Sequence, residues 1–265
     1  MALADRKPYS APALEKGLDI LELLAEAATP MSTQTIAEAL DRSRSEIFRM
    51  LNVLEARGFI ARGGSEEGFA LTPHLLELAM KNPPTRSLLD AALPAMAALA
   101  ERSGQSCHLA VESGADMVVI ARVESPDEVG FAVRIGHRRS LVESTSGRVL
   151  LAFQPDARRH EWLARVPATV EFAAAELERD LARIRRQGYR KAKSTYASGI
   201  VDLGVPVFDG QGEGAIASIT IPCVQKQKMR EPIAALIEDL VLAAGEISAA
   251  LAHQSGSEHR IGAAS

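Results

Sequence analysis

From Ala13 onward the chain becomes periodic. Leu14, Leu18, Leu21 and Leu24-Ala25 recur at helical spacing and predict an amphipathic helix to about Ala28. Thr29-Pro30 ends it, because proline crowds the preceding residue out of the helical region. Ser32 is placed to cap a short second helix with Ile36, Ala37 and Leu40 on one face. After the turn Asp41-Arg42, Ser43-Arg44-Ser45-Glu46 reads as a capping box, in which the serine oxygen accepts from the backbone near Glu46 and the glutamate reaches back. The third helix, 43–57, carries Ile47, Met50, Leu51 and Leu54 at i, i+3, i+4 and i+7 as its core stripe. Gly58 falls where a glycine cap should end it. Short apolar runs at 59–61 and 69–71 flank the glycine-rich 63–68 and predict a β-hairpin. Residues 32–71 therefore read as a winged helix-turn-helix.

Thr72-Pro73 opens a fourth helix, 73–80, and Lys81-Asn82-Pro83-Pro84 is the best boundary in the chain. Beyond it the texture changes. Helices are expected at 86–103, 147–153, 156–163, 175–187 (stopped by Gly188) and 226–253. Strands are expected at 106–112, 117–123, 129–135, 190–195, 199–208 and 214–221, with a turn at 209–212. Strands with helices beside them give an α+β, sensor-type second domain. The expected organisation is a flexible arm at 1–12, a winged helix-turn-helix at 13–72, a linker helix at 73–85, a second domain at 86–253 and a flexible tail at 254–265.

Composition narrows the class. With 265 residues, 47% of them apolar and 24% charged, the chain is long enough for two ordinary globular domains. No apolar run approaches the roughly 20 residues that span a bilayer, and the N-terminus lacks a signal-peptide stretch, so a cytoplasmic protein without a membrane partner is expected. The two cysteines, Cys107 and Cys223, form no C-x-x-C pair. Neither a disulfide framework nor a metal site is indicated, and no cofactor is expected. The net charge of −4 argues against a protein that coats nucleic acid, but local charge matters more. Residues 1–82 hold nine Lys/Arg against twelve Asp/Glu, whereas 42–62 hold five arginines (Arg42, Arg44, Arg49, Arg57, Arg62) against Glu46 and Glu55.

That local basic segment carries DNA-reading chemistry. Arg44, Ser45, Phe48, Arg49 and Asn52 lie off the apolar stripe of the third helix. Arginine pairs bidentately with guanine and asparagine with adenine, and the second helix of a helix-turn-helix presents its N-terminal residues to base edges. Ser32, Thr33 and Thr35 at the start of the preceding helix suit a backbone phosphate, and Arg42, Ser43 and Arg62 complete the expected contact set. The weak net charge makes a symmetric dimer on a two-fold operator the expected binding form. The alternative is a winged-helix adaptor that binds protein through the same face.

At this point the chain resembles the IclR family of bacterial transcription regulators. The resemblance runs from about Ala13 to Cys223. It rests on LEKGLDILELLA, MSTQTIAEAL, SRSEIFRMLNVLEARGFI and GFALTPHLLELA in the first domain. In the second it rests on IGHRRSLVESTSGRVLLAF (135–153), QGYRKAKSTYASGIVDLGVPVFDGQG (187–212) and GAIASITIPC (214–223). The resemblance implies a winged helix-turn-helix, a linker helix and a GAF/profilin-like effector domain. It also implies dimers or tetramers, with contacts through the first helix and the linker helix, and a small organic effector, often a carboxylate or aromatic acid. The chain departs from the family pattern at Lys16, at Val142 and around Tyr196-Ala197-Ser198.

The resemblance puts Ser144-Thr145-Ser146-Gly147 at the mouth of the effector cavity, where the amides and hydroxyls of a helix N-terminus suit an anion. Ser218 and Thr220, two apart on a strand, are expected on the same cavity, with Cys107, Leu109, Met117 and Ile221 as apolar walls and Asp202 as a polar contact. His108 reads as an ordinary, partly buried strand histidine. Ser144 or Ser146 with His108 would be the beginnings of a hydrolase, but no orienting third residue, G-x-S-x-G, H-E-x-x-H or P-loop accompanies them. An enzyme is not expected.

Overall fold

The structure is a computed structural model that describes residues 11–63, 68–128, 130–195, 197–212, 214–224 and 232–262. The chain divides into two compact units, Met1–Thr85 and Arg86–Ser265.

In the first unit, α1 (Pro12–Glu26), α2 (Thr33–Ala39) and α3 (Arg44–Ala56) are followed by β1 (Ile60–Gly63), β2 (Gly68–Leu71) and α4 (His74–Met80). The core is Ile20, Leu24, Ile36, Ala37, Ile47, Leu51, Ile60 and Phe69. Both predicted caps form. Ser32 Oγ accepts from Thr35 N, and Ser43 and Glu46 make the reciprocal capping box. At the other end of α3, Gly58 N donates to Glu55 O, Phe59 N donates to Leu54 O, and Gly58 has φ +76°. That is a Schellman ending, which glycine adopts without a Cβ penalty. Lys16 Nζ donates to Glu46 Oε1 at 2.6 Å, tying α1 to the first turn of α3. The Lys16 and Ser43 bonds hold the Glu46 carboxyl down to about 2.

The expected leucine stripe of α1 is corrected. Leu14 and Leu18 are exposed, and Ile20 and Leu24 are buried. The inward edge runs Lys16, Ile20, Leu24 at steps of four, so the expected stripe holds at Leu24 and at Leu21, which packs against the core, and fails at Leu14 and Leu18, with Lys16 paired to Glu46 on α3. The wing pairs β1 with β2 antiparallel, and Met31 bridges to Phe69. A Cβ at Gly68 would stand 2.9 Å from Pro30 carbon atoms, so glycine lets the hairpin lie on that proline. The predicted hairpin tip, 64–67, and the predicted arm at 1–10 lie outside the described residues. Pro12 belongs to α1 rather than to an arm, since proline fits a helix's first turn.

The second unit runs α5 (Pro83–Ser103), β3 (Cys107–Ser113), β4 (Asp116–Val123), β5 (Arg138–Ser140), α6 (Thr145–Ala152), α7 (Asp156–Ala164) and α8 (Ala174–Gln187). It then runs β6 (Arg190–Lys193), β7 (Ile200–Val207), β8 (Ala217–Val224) and α9 (Ile233–Gly262). Its strands form one six-stranded antiparallel sheet among the described residues, in the order β5-β4-β3-β8-β7-β6. Strand alternation sorts the two faces. Cys107, Leu109, Leu203, Val205, Ile219 and Ile221 pack with α5 and α9. Ala110, Met117 and Val119 pack with α6 and α8.

Three boundaries differ from expectation. The break between α4 and α5 falls at Lys81-Asn82, but α5 begins at Pro83 rather than at 86, because a first-turn proline lacks only an N–H that has no intrahelical partner. Residues 130–135 form no strand. The edge of β4 is met instead by Gly136 and His137, through bonds between Val119 N and His137 O and between Gly136 N and Val119 O. The helical backbone of α9 continues to Gly262 where a tail was expected from 254. The predicted start of that helix at 226 lies outside the described residues.

The centre of the second face is polar. His108, Asp202 and Thr220 lie on it, and the first turn of α6 sits over them. Gly204 allows that approach: a Cβ there would stand 3.0 Å from Thr145 Cγ2, 3.1 Å from Thr220 Oγ1 and 3.3 Å from Val149 Cγ2.

Two outcomes follow from these contacts. Gly204→Val costs about 1–3 kcal/mol by overpacking this seam, read as a lowered thermal midpoint of the full chain. Ser43→Ala removes the cap of α3 for about 1 kcal/mol. The check is amide hydrogen exchange across 44–57, which speeds up about fivefold.

Candidate functional site

The first candidate surface is the outer side of α3. Arg44, Ser45, Phe48, Arg49 and Asn52 are all exposed and share one face, while Ile47 and Leu51 are buried on the other. Both acidic residues of the basic segment are used inside the fold: Glu46 by Lys16 and its own capping box, Glu55 by Arg62 Nε at 3.2 Å. Among the described residues Arg42, Arg44, Arg49 and Arg57 make no ion pair. Other members of the expected contact set are engaged. Arg62 also lies 5.0 Å from the centre of the Phe69 ring. The hydroxyls of Ser32 and Thr35 bond each other at 2.8 Å, and Ser43 Oγ serves the cap. Thr33 is half-buried in the first turn of α2.

The second candidate site is a cavity of about 350 Å³ in the second unit. Ser144 caps α6, its Oγ accepting from Gly147 N at 3.0 Å, which turns Thr145 and Ser146 toward the sheet. Ser146 Oγ lies 2.9 Å from Thr220 Oγ1 and 3.3 Å from His108 Nε2. Thr145 Oγ1 donates to Asp202 Oδ2 at 3.4 Å and accepts from Arg190 Nη1 at 2.7 Å. Phe131, Ala132 and Val133 supply an apolar wall, and Arg134, Arg139, Arg148, Arg190 and Lys193 supply positive charge. Burial raises the Asp202 carboxyl despite the Thr145 bond and the Arg190 charge.

Of the sequence-predicted contacts, Met117, Ser144, Thr145, Ser146, Asp202 and Thr220 line this cavity. Five do not. Cys107, Leu109 and Ile221 face the opposite side of the sheet, because alternation puts them in the core under α5 and α9. Ser218 is on the correct face but fully buried, its Oγ 3.5 Å from Thr220 Oγ1. Gly147 is a packing position: a Cβ there would stand 2.5 Å from Leu141 Cα. Val142, where the family pattern departs, is a buried core residue. Tyr196 lies outside the described residues. The cationic wall and the apolar loop 131–133 were missed. The arginines are scattered from 134 to 190, and only the sheet gathers them.

His108 is buried, not partly buried, and it lines the cavity. It does meet Ser146, as a hydrolytic dyad would. Burial, reinforced by the His137 charge, pushes its imidazole down to about 4, which makes it a weak base. Its Nδ1 makes no hydrogen bond, so no acid orients it. The pair is a polar contact between helix and sheet, without the arrangement that activates a serine.

Comparison with known proteins agrees with both halves. The family model for the IclR helix-turn-helix domain matches residues 13–64, and that for the bacterial transcriptional regulator IclR C-terminal domain matches residues 84–249. An uncharacterised HTH-type transcriptional regulator of Escherichia coli, RhmR, is 30% identical over 208 residues, covering 76% of this chain and 79% of its own. The HTH-type transcriptional regulator KdgR of Dickeya chrysanthemi is 29% identical, covering 83% and 74%. The crystal structure of Thermotoga maritima IclR superposes with a TM-score of 0.69 at 27% identity, over 90% of this chain and 98% of that one. Helix-turn-helix first and an α+β effector-binding domain second, the chain belongs to the IclR family of bacterial transcriptional regulators.

Proposed function

We propose that this regulator binds a two-fold symmetric DNA operator as a dimer or tetramer through α3, and that a small organic acid in the cavity of the second unit controls that binding. The observation that carries the DNA half is the row of arginines left without partners on α3. Glu46 and Glu55 are paired with Lys16 and Arg62, so the exposed side offers Arg44 and Arg49 to guanine edges and Asn52 to adenine, with Phe48 placed for a thymine methyl. Ser45, Thr33 and Arg42 extend the surface toward phosphates. Ser32, Thr35 and Ser43 act there through the helix N-termini they cap, and Arg62 through the wing it braces. Four unpaired arginines give a shallow salt dependence for one protomer, which is why a symmetric pair of half-sites is part of the reading. The exposed Leu14 and Leu18 of α1 and Leu75, Leu76 and Leu78 of α4 suit contact with a second copy. A regulator of this kind works in the cytoplasm.

The effector half rests on the cavity. Its polar floor, apolar loop and excess of cations suit an acid with an apolar body. Met117, Ser144, Thr145, Ser146, Asp202 and Thr220 are its proposed contacts.

Replacing both Arg44 and Arg49 with alanine abolishes the specific shift of the chain's own upstream intergenic DNA in a gel-shift assay. Each lost base contact costs about 1–3 kcal/mol, and thermal unfolding is unchanged because both side chains are exposed. A specific shift retained in that double variant overturns the base-reading role of the two arginines, and no specific shift with the unmodified chain points to the protein-binding adaptor. A thermal-shift screen of small aliphatic and aromatic acids finds members that raise the midpoint of the full chain, and those same acids change its DNA affinity. A screen in which no acid does either overturns the effector half.

A further inference from the structure

We propose that Arg190 and Arg148 form the carboxylate-binding corner of the cavity, with Asp180 behind them as a fixed internal counter-ion that leaves Nη2 of each guanidinium to donate to the ligand. The proposal rests on the cavity being the effector site. It assigns the acid group of that effector to named side chains.

Asp180, on α8, is buried and accepts from Arg148 Nη1 at 2.7 Å, from Arg190 Nε at 3.2 Å and from Arg183. One carboxylate therefore stands behind three guanidinium groups. Burial by itself would raise the Asp180 carboxyl, but the bonds and charges of Arg148 and Arg190 prevail and hold it below its usual range. Arg183 reaches solvent, with its side chain 53% exposed, so water screens its charge. Arg148 and Arg190 are 20% and 11% exposed, and both line the cavity. Their remaining bonds are few: Arg148 Nε donates to Val142 O, and Arg190 Nη1 donates to Thr145 Oγ1. Neither Nη2 donates to any described residue. Two other acids line the cavity, Asp202, reached through Thr145, and Glu143, paired with Arg139 at 3.6 Å, while Arg134 and Lys193 add further cations. Five cations thus line one partly desolvated space against three carboxylates, Glu143 and Asp202 in its wall and Asp180 behind it.

A guanidinium edge presents two N–H groups in a plane, which matches a carboxylate bidentately. Asp180 holds the two forks still before the ligand arrives, so little side-chain freedom is lost on binding. Thr145, already bonded to Arg190, carries the contact to the first turn of α6, whose amides favour the same negative charge.

The test uses acetate, the smallest ligand that carries the proposed group, on the full-length protein. Sodium acetate replaces sodium chloride at constant ionic strength and pH, and thermal unfolding is followed, with acetamide as the neutral control. The expected result at about 100 mM acetate is a rise of roughly 2–4 °C in the midpoint, none with acetamide and none in Arg190→Gln. Asp180 keeps Arg148 and Arg183 in that variant, so the fold has its internal ion pair. In Arg190→Lys, which keeps the charge and loses the fork, the rise falls by at least half. No rise in the unmodified protein, or an equal rise in Arg190→Gln, overturns the proposal. An acetate effect that depends on Arg190, in a protein whose DNA binding answers to no acid, upholds the corner and overturns the effector reading. Acids that control DNA binding equally well in Arg190→Gln do the reverse.

Discussion

The second unit depends on the seating of the first turn of α6 against the polar centre of the sheet. That contact is short because Gly204 has no side chain, and it is specific because Ser146 meets His108 and Thr220 while Thr145 meets Asp202 and Arg190. A helix N-terminus has amides without intrahelical partners, and burying it on an apolar face would be costly. Here the face is polar where the helix begins and apolar where it continues: Val149, Leu150 and Leu151 enter the core with Trp162, Leu177 and Ile184. The cavity is the space left beside the polar half. It exists because the helix is held by its tip and its apolar body, with loop 131–134 forming a further wall.

Both units take up acidic side chains in internal pairs and leave a local excess of cations. In the first, Glu46 and Glu55 are taken up by Lys16 and Arg62, and the remaining arginines of α3 and its flanks are left to solvent. In the second, Asp180 gathers three arginines from α6, α8 and β6 and turns two of them to the cavity. The physical result is the same. A segment whose total charge is small presents a concentrated positive surface in one direction, because its carboxylates are neutralised by some cations while others are left unpaired or turned to the cavity. This reconciles the net negative charge of the chain with an anionic macromolecular partner.

The helix-turn-helix was legible because its signals are local. A capping box needs residues three apart, a Schellman ending needs one glycine, and a core stripe needs a period. Each of these is present in α3 within one residue of where the pattern put it. The rotation of α1 was not legible. Its leucines and its isoleucine are both helically spaced, and the burial of Ile20 with Leu24 in the core shared with α2 and α3 is visible only in the packed structure. The cavity divides the same way. Ser144-Thr145-Ser146 announces a helix start, and Ser218 and Thr220 announce one face of a strand. Cys107, Leu109 and Ile221 were placed on the wrong side because residue type cannot tell an apolar cavity wall from an apolar core.

Sequence alone determined the family, the order of the two domains, the caps and ends of α3 and its outward residues. All of these follow from neighbours within a few turns of chain and from the order of quoted motifs. Tertiary structure alone decided which acids neutralise which arginines, which face of the sheet is the cavity face and where its positive charge collects. Those outcomes join residues as far apart as His108 and Ser146, or Thr145, Asp180, Arg190 and Asp202, and no periodicity along the chain encodes contacts that strand pairing and helix docking create.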